Sequence, residues 1–527
     1  MSNPTDAGAR LFDLVRASAR VAEVSARSAK TELLAELLRA LAPDEVEIAV
    51  SWLAGEPRQG RIGVGYAAVR ELRVEPASAP TLSLREVDAG LGEIAGASGR
   101  GSAAQRAQLL GALFARATLD EQRFLVRLLI GELRQGALEG VLTEAIARAA
   151  SVSPDRVRRA AMLSARLPAV ARAALEHGDA GLGEFRLEIL RAIQPMLAQT
   201  ADDPDDALAR LGNAALEWKL DGARIQVHRL DDEVRVFSRQ QNEVTAAVPE
   251  IVELVRALPA RALLLDGEAI ALRASGAPEA FQTTMRRFGR RLDVERMRAE
   301  LPLSAFFFDL LHVDGEDLLD RTSDARFAAL AERVPEALRV PRLVTSDVSV
   351  AHAFLDAALA RGHEGIMAKA LDAPYEAGRR GAGWLKVKRA NTLDLVVLAV
   401  EWGSGRRRGL LSNLHLGARD PATGGFVMLG KTFKGMTDEM LAWQTRRFQE
   451  LEIARDEHTV HVRPEQVVEI AFDGIQASPH YPGGVALRFA RVKRYRSDKR
   501  AEDADTIDAV RALSGASRPE RPPSEGS

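Results

Sequence analysis

The stretch Glu217-Trp218-Lys219-Leu220-Asp221-Gly222-Ala223-Arg224 ends an apolar strand with a lysine, which an Asp-Gly pair follows. Asp-Gly is a turn dipeptide, so the pattern predicts a primary amine presented where a strand meets a turn. Unlike arginine, a lysine amine can lose its proton and attack an electrophile. Taken alone, these residues fit an ordinary strand end about as well as a reactive lysine. The rest of the sequence is needed to choose between the two interpretations.

Lysine is scarce in this chain. Only nine of the 72 basic residues are lysines, and eight of those nine lie between positions 219 and 499. A lysine that persists among so many arginines is a candidate for chemistry that arginine cannot supply. Chance retention of surface charge explains any single lysine about equally well, and it is weakest where lysines lie in patterned sequence.

The residues before this stretch have a helical pattern. From about residue 10 to 195, segments such as TELLAELLRALA (31–42) place apolar residues three and four positions apart. Stretches such as GASGRGS (96–102) are typical of connections between helices. We therefore predict an all-α domain over residues 1–200. The acidic, proline-containing ADDPDDA (201–207) is interpreted as a linker.

The residues after it alternate or run apolar over five to eight positions, which predicts strands. Helical stretches interrupt these strands between residues 207 and 390, so we predict a mixed α+β domain there. Residues 391–513 contain about five short strand segments, which suit a small β-barrel of the OB-fold type. The tail over 514–527 is rich in Pro, Ser and Gly, and we expect it to be disordered.

Composition limits the class of protein. A chain of 527 residues indicates several domains, and 46% hydrophobic residues with 28% charged residues indicate a globular protein. The absence of cysteine excludes disulfides, thiol catalysis and cysteine-ligated metals. We find neither a secretion signal nor an apolar run near the ~20 residues that span a bilayer. We expect a cytoplasmic protein, nucleoid-associated if bacterial, without membrane contact.

Further segments follow the Lys219 stretch in a fixed order: SRQQNE (238–243), LDGEAIA (265–271), FFFDLL (306–311), EGIMAK (364–369), WLKVK (384–388) and ALRFARVKRYRSDK (486–499). Their order and spacing resemble the covalent nucleotidyltransferases, specifically the ATP-dependent DNA ligases. More weakly, GELRQGALEGVLTEAIARA (131–149) is similar to the DNA-binding domain of that family. The resemblance implies a helical DNA-binding domain, an adenylation domain and an OB-fold domain.

The resemblance also implies roles for individual residues. Lys219 would attack the α-phosphorus of ATP and hold AMP covalently. A free lysine with a pKa of about 10.4 is almost fully protonated at neutral pH, so nearby cations are needed to lower that pKa. The expected nucleotide-binding residues are Glu217 and Phe308 for the adenine, Arg224, Arg239 and Glu268 for ribose or phosphate oxygens, and Arg380, Lys386 and Lys388 for the phosphates.

Glu268 and Glu364 would help to hold Mg²⁺, which needs few protein carboxylates when it bridges phosphates. The family's C-terminal motif, which closes over the nucleotide, would consist of Arg488, Arg491, Arg496, Asp498 and Lys499. Its movement needs a hinge, which we expect near residues 390–395. The implied partner is nicked duplex DNA, in replication, repair or recombination. We expect a monomer and leave any recruiting protein open.

Other classes remain as alternatives. An mRNA-capping guanylyltransferase or an RNA ligase shares the lysine motif, although the helical region and the long ending RSDKRAEDADTI (496–507) favour a DNA ligase. NAD-dependent ligases carry a four-cysteine zinc site, which this chain lacks. A catalytically silent nick-binding protein is a further alternative. SRQQNE differs from the usual family pattern after its arginine, so Asn242 and Glu243 stay unassigned.

Overall fold

Amphipathic helices build the first region of the chain. The computed structural model describes residues 8–60, 62–65, 69, 74–133, 139–288, 293–377, 380–388, 391–404 and 407–513. The helices of this region are α1 (Leu11–Glu23), α2 (Arg27–Arg39), α3 (Pro43–Leu53), α4 (Leu84–Gly96), α5 (Ser102–Ala115), α6 (Leu119–Leu129), α7 (Glu139–Ala150), α8 (Pro154–Ser164) and α9 (Leu167–Leu182). Their apolar faces form one core. The prediction of a helical region is confirmed.

Two five-stranded sheets follow. The first sheet has the order β1-β10-β9-β2-β8, and the second sheet has the order β4-β3-β5-β6-β7. Their strands are β1 (Leu197–Ala201), β2 (Ala214–Lys219), β3 (Ala223–Leu230), β4 (Glu233–Ser238), β5 (Ala262–Ala271), β6 (Leu303–Val313), β7 (Glu316–Asp317), β8 (Arg342–Thr345), β9 (Gly365–Ala370) and β10 (Arg380–Lys388). The predicted mixed character of this region is confirmed.

Helices cover one face of each sheet. They are α10 (Pro204–Leu211), α11 (Pro249–Arg256), α12 (Phe281–Phe288), α13 (Val294–Glu300), α14 (Ser323–Arg333) and α15 (Val348–Ala360). Residues of α10 and α15 pack on the apolar face of the first sheet. Residues of α11 and α14 pack on the apolar face of the second sheet. Because side chains alternate along a strand, the polar residues of both sheets lie on the opposite faces.

The acidic stretch at 201–207 is ordered secondary structure and not a loose linker. Ala201 ends β1, which pairs in parallel with β10. Asp203 caps α10 by accepting the backbone N–H of Asp206, and acidic residues at Asp205 and Asp206 favour the positive end of that helix. The composition that indicated a linker is therefore that of a helix start, and strand pairing brings residues 197–201 into the first sheet.

The chain divides into two compact units at 388/389. The second unit is rich in strands, and each of the five segments predicted there is a strand. They are β11 (Asn391–Trp402), β12 (Leu411–Arg419), β13 (Phe426–Thr432), β15 (Thr459–Val462) and β16 (Val467–Phe472). The other elements of this unit are α16 (Asp438–Glu450), β14 (Glu452–Arg455), β17 (Gly474–Ala477), β18 (Val485–Arg488), β19 (Arg491–Tyr495) and α17 (Ile507–Leu513).

The strands β13, β12, β11, β15 and β14 neighbour one another in that order, and β16 joins β11 to β19. The hinge expected near 390–395 stays a prediction, but residues 391–395 are not an irregular linker, because they belong to β11 and pair with β16. The tail at 514–527, which was expected to be disordered, lies outside the described residues. None of the described helices has the length and apolar character that crossing a membrane requires.

Candidate active site

Three charged side chains meet at one edge of the first sheet. Lys219 ends β2 and Lys388 ends β10, and both lie opposite Gly365 at the start of β9, between them. The carboxylate of Glu364 connects the two lysines. Lys388 Nζ lies 2.8 Å from Glu364 Oε2, and Lys219 Nζ donates to the same oxygen. The backbone N–H of Glu364 also donates to the carbonyl of Lys219, at 3.0 Å.

The charge state of Glu364 follows from these contacts. Burial by itself would raise the pKa of Glu364, but the ammonium groups of Lys219 and Lys388 outweigh burial and lower the pKa to about 2. At neutral pH the carboxylate is therefore ionised and shared by two cations. The structure thus brings together Lys219, Glu364 and Lys388, which are separated by up to 169 positions in the sequence.

A second row of side chains lies on the same face of the first sheet. Glu217 and Lys386 both lie opposite Met367. The carboxylate of Glu217 is buried and lies 2.6 Å from Lys369 Nζ. Burial raises the pKa of Glu217, and the charge of Lys369 opposes that rise. Lys386 is half-buried.

Lys369 was not assigned a role from the sequence, although it ends the EGIMAK segment. Its ammonium group donates to the carbonyl of Phe308 at 3.2 Å and lies 4.7 Å from the centre of the Phe308 ring. The ring of Trp384 is 4.4 Å away. A lysine inside an apolar strand is rarely buried without a partner, and that rule is the signal in the sequence that could have identified it.

Arg224, on the polar face of the second sheet, is held by several partners. Its Nε and Nη2 donate to the two carboxylate oxygens of Asp266, at 3.0 and 2.6 Å. Its Nη1 donates to the carbonyl of Met196 at 2.6 Å. The guanidinium also lies 5.5 Å from the centre of the Phe308 ring. Across the β3–β5 ladder, Arg224 lies opposite Glu268.

The pKa of Glu268 is shifted in the direction opposite to that of Glu364. Burial raises its pKa to about 8, although Lys219 and Arg224 oppose the rise. No described residue hydrogen-bonds its side chain, and in the described part of the chain no group of three or more His, Cys, Asp or Glu could hold a metal. An unpartnered carboxyl with a raised pKa, near Glu364, fits a hard cation that takes its remaining ligands from phosphates.

The three phenylalanines of strand β6 alternate between the two faces of the second sheet, as expected for consecutive residues of a strand. Phe307 is fully buried in the core of the second sheet, while Phe306 and Phe308 are half-buried on the other face. Arg239 is exposed directly after β4 and makes no hydrogen bond or ion pair with another described residue. Arg380 is the first residue of β10, and its side chain lies outside the described residues.

The C-terminal motif belongs to the second unit. The structure describes all five predicted residues: Arg488, Arg491, Arg496, Asp498 and Lys499. Both Arg496 and Lys499 bind Asp394 of β11, with Arg496 Nη1 at 2.9 Å and Lys499 Nζ at 2.6 Å from Asp394 Oδ2. Arg496 also pairs with Asp498 at 2.6 Å. Arg491 pairs with Asp473 at 3.0 Å. The motif is thus held by acidic residues of its own unit.

Comparison with protein families gives three matches. The family described as ATP dependent DNA ligase domain matches residues 195–388. The ATP dependent DNA ligase C terminal region matches residues 407–499, and the DNA ligase N terminus matches residues 64–147. Together these matches cover most of the chain in the order that the sequence predicted.

Curated relatives match over nearly the whole chain. A probable DNA ligase of Anaeromyxobacter sp. (strain Fw109-5) is 66% identical over 507 residues, which are 96% of this chain and 98% of that protein. A probable DNA ligase of Sorangium cellulosum (strain So ce56) is 61% identical over 95% of this chain and 94% of that protein. The fold is similar to the solved structure "Pmar-Lig_PreS3", with a TM-score of 0.61 and 20% identity over 92% of this chain and 99% of that one.

Proposed function

The chain belongs to the family of ATP-dependent DNA ligases, and from this premise we propose that Lys219 is its adenylated nucleophile. The amine attacks the α-phosphorus of ATP, so that an Nζ–P bond forms while the bond to the bridging oxygen breaks and pyrophosphate leaves. AMP then passes to the 5′-phosphate at a nick in duplex DNA. The adjacent 3′-hydroxyl attacks that phosphate and releases AMP.

The observation that carries this proposal is the shared carboxylate of Glu364. The Nζ of Lys219 is bound by Glu364 Oε2, and it has to leave this carboxylate before it can attack a phosphorus atom. Lys388 is a second cation on the same oxygen, at 2.8 Å. The nucleophile is therefore set free when Glu364 takes another partner, and Lys388 remains to offset charge that develops on the phosphates.

Glu268 and Glu364 are the residues that would hold Mg²⁺. When bound there, the cation would neutralise phosphate charge and polarise the α-phosphoryl group. Glu268 must lose its proton to bind a cation, because its pKa in the cleft is about 8. Glu364 is shared by Lys219 and Lys388, so it would offer the cation a carboxylate that is already ionised.

The remaining groups of the cleft fit a nucleotide. Glu217 offers an acceptor for the exocyclic amine of adenine, and the exposed part of Phe308 offers a stacking surface worth about 1–3 kcal/mol. Arg239 has donors available for phosphate or ribose oxygens. Lys386 and, by resemblance, Arg380 complete the phosphate-binding set. Arg488, Arg491, Arg496, Asp498 and Lys499 would orient the pyrophosphate.

We further propose that the second unit is an OB-fold barrel that contacts the DNA backbone. It carries an exposed patch in which Phe433 and Phe489 are more than half exposed. Lys434 Nζ lies 5.9 and 5.5 Å from the centres of these two rings. Exposed aromatic rings can stack on bases, and neighbouring cations can bind phosphates. We expect this binding to weaken as the salt concentration rises. We also propose that the protein is a monomeric, cytoplasmic enzyme of replication, repair or recombination.

The substitution Lys219→Arg tests the proposal. It keeps the positive charge next to Glu364 but removes the nucleophile, so we expect a folded protein that takes no label from α-labelled ATP with Mg²⁺. Wild-type protein should retain the label covalently and transfer it to nicked DNA. Parallel incubations with GTP, NAD, dATP and nicked RNA separate the alternatives. Label retained by Lys219→Arg would overturn the assignment.

A further inference from the structure

A segment of irregular chain between α9 and β1 lies across the polar face of the second sheet. We call residues 190–196 the connecting segment. Three alternate residues of β3 bind its backbone: Arg224 donates to Met196 O at 2.6 Å, Gln226 Oε1 accepts the Ile193 N–H at 2.8 Å, and His228 Nδ1 accepts the Leu190 N–H at 3.1 Å. The strand that presents Arg224 to the cleft therefore also anchors the chain coming from the helical region.

The guanidinium of Arg224 is almost fully used within the protein. Asp266 takes the Nε hydrogen and one Nη2 hydrogen, Tyr375 Oη accepts from Nη2 at 3.3 Å, and Met196 takes one Nη1 hydrogen. Of its five N–H donors, one on Nη1 is left for a ligand. Such a donor contributes to binding only if its direction is fixed, since a freely rotating arginine loses entropy on binding.

Tyr375 completes this arrangement. Its side chain is fully buried, and the hydroxyl donates to Asp266 Oδ2 at 2.8 Å. The same hydroxyl accepts the Met196 N–H at 3.0 Å and Arg224 Nη2. A hydroxyl has one donor and two acceptor sites, and all three are filled. Burial, reinforced by Asp266, raises the pKa of Tyr375 well above 10, so the donating proton stays in place.

We infer that Tyr375 is a positioning residue for nucleotide binding, which with Asp266 fixes the remaining donor of Arg224 toward the cleft. Neither the lysine motif nor the resemblance assigned a role to Tyr375. The inference rests on the proposed function, because it needs the cleft to bind ATP. The hydrogen bonds of this hydroxyl join it to Asp266, Met196 and Arg224, and it therefore acts on binding of the nucleotide and not on attack by the amine.

The substitution Tyr375→Phe tests the inference, because it keeps the ring and removes only the hydroxyl. We expect the KM for ATP in self-adenylation of the full chain to rise by about ten-fold, the scale of one hydrogen bond to a charged group. The rate at saturating ATP should change less than about two-fold. Arg224→Lys should raise the KM similarly, and the double variant should show little further increase, since both remove the same interaction.

Thr143→Val is the matched control. Thr143 is buried in α7 and its hydroxyl donates to the Glu139 carbonyl at 2.8 Å, so the control also deletes a buried hydroxyl without touching the cleft. Both variants should lower the midpoint of thermal unfolding, but only Tyr375→Phe should raise the KM. An unchanged KM in Tyr375→Phe, or additive effects with Arg224→Lys, would overturn the inference alone. A wild-type chain that takes no label would overturn the proposed function as well.

Discussion

Two glutamates in one cleft have opposite pKa shifts, and the cause lies in their partners. Glu364 is bound by two ammonium groups, which lower its pKa to about 2. Glu268 has no hydrogen-bonded partner among the described residues, and burial raises its pKa to about 8. At neutral pH the cleft therefore contains one ionised and one protonated carboxyl, which is the pattern expected of a site with divided roles.

We predict that Glu268 lowers stability as the pH rises. Its pKa in the folded chain, about 8, exceeds the ordinary value of 4.5, so the folded state binds the proton more tightly. The stabilisation is complete below pH 4.5 and is lost as the pH rises through 8. Urea unfolding at pH 5, 7 and 8.5 should show wild type losing stability relative to Glu268→Gln. If the free energies of unfolding of wild type and Glu268→Gln changed with pH in parallel, the prediction would be wrong. The exposed substitution Glu295→Gln serves as the control.

Gly365 is the residue that allows Lys219 and Lys388 to share Glu364. Its φ is +144°, and a Cβ placed there would lie 2.2 Å from the carbonyl oxygen of Val387 on β10. We predict that Gly365→Ala destabilises the chain by roughly 1–3 kcal/mol and reduces self-adenylation by more than that loss explains, because β9 must move away from β10. Denaturant unfolding and label uptake measure the two effects.

Gly276→Ala is the control for that substitution. Gly276 also has a positive φ, of +81°, but an added Cβ would meet nothing within 4 Å. It should therefore show the backbone strain without the loss of adenylation. Equal losses of label uptake in the two variants would show that the spacing of β9 and β10 is not what the glycine protects.

The sequence alone predicted many of the residues that line the cleft. The others could not be predicted, because they are brought there by contacts between distant parts of the chain. The reactive types stand out in local sequence, as with Lys219 at a strand end and Phe308 in an alternating strand. Asp266, Lys369 and Tyr375 look like ordinary strand or loop residues. Their contacts in the cleft come from pairing between strands and loops that are distant in sequence, such as Tyr375 with Asp266, 109 positions apart. Single-sequence patterns carry no information about such pairs.

At the scale of elements, the ion pairs of Asp394 hold the C-terminal motif against β11. Arg496 Nη1 binds both carboxylate oxygens of Asp394, and Lys499 binds one of them. The backbone of Asp394 is separately paired with Asp505. If the motif acts on pyrophosphate, Arg496 and Lys499 must first leave Asp394, so these pairs oppose adenylation.

We predict that Asp394→Asn raises the self-adenylation rate at limiting ATP several-fold, because it removes the charge that retains the motif and keeps the backbone pairing. Rapid-quench measurement of label uptake tests this. Glu465→Gln, which weakens an exposed pair with Arg463 in the same unit, should leave the rate unchanged. A slower rate in Asp394→Asn, with a lower unfolding midpoint, would assign these ion pairs a structural role only.

Elements were predicted where length and period were clear. The helical first region and the five strands predicted in the second unit were found, whereas the helix α16 and the four-residue strands β14 and β17 were not. Strand β19 has one buried residue, Val492, and both Lys493 and Arg494 are exposed, so its sequence lacks the strict alternation that predicts a strand. The start of α10 was missed because proline and aspartates mark both linkers and helix N-termini.

At the scale of the whole molecule, the connecting segment decides where the first unit can be cut. The helical domain was predicted to end at residue 200. That boundary would place Met196, which binds Arg224 and Tyr375, in the helical domain, together with all residues of β1 except Ala201. In addition, Met162 and Leu163 of α8 share a buried cluster with Ile193 and Trp384. The helical region and the adenylation region are therefore joined through common core residues.

We predict that two truncated chains behave differently. Residues 190–527 keep the connecting segment and β1, so they should retain self-adenylation but bind nicked DNA more weakly than the full chain. Residues 201–527 lose the edge strand next to β10, which carries Lys386 and Lys388, and should lose self-adenylation. Label uptake and nick-binding titrations at fixed salt measure both, with circular dichroism to verify folding. Equal label uptake by the two fragments would contradict the prediction.

The lysines of the cleft also have a consequence for chemical labelling. Lys219, Lys369, Lys386 and Lys388 share one face of the first sheet, and the chain has only five other lysines. Lys369 is buried, so the cleft offers an amine-reactive reagent the half-buried Lys219, Lys386 and Lys388, and peptide mass mapping of these acylated sites would report occupancy of the cleft. Arginine-rich surfaces, which do not react with such reagents, make this chain unusually suitable for that measurement.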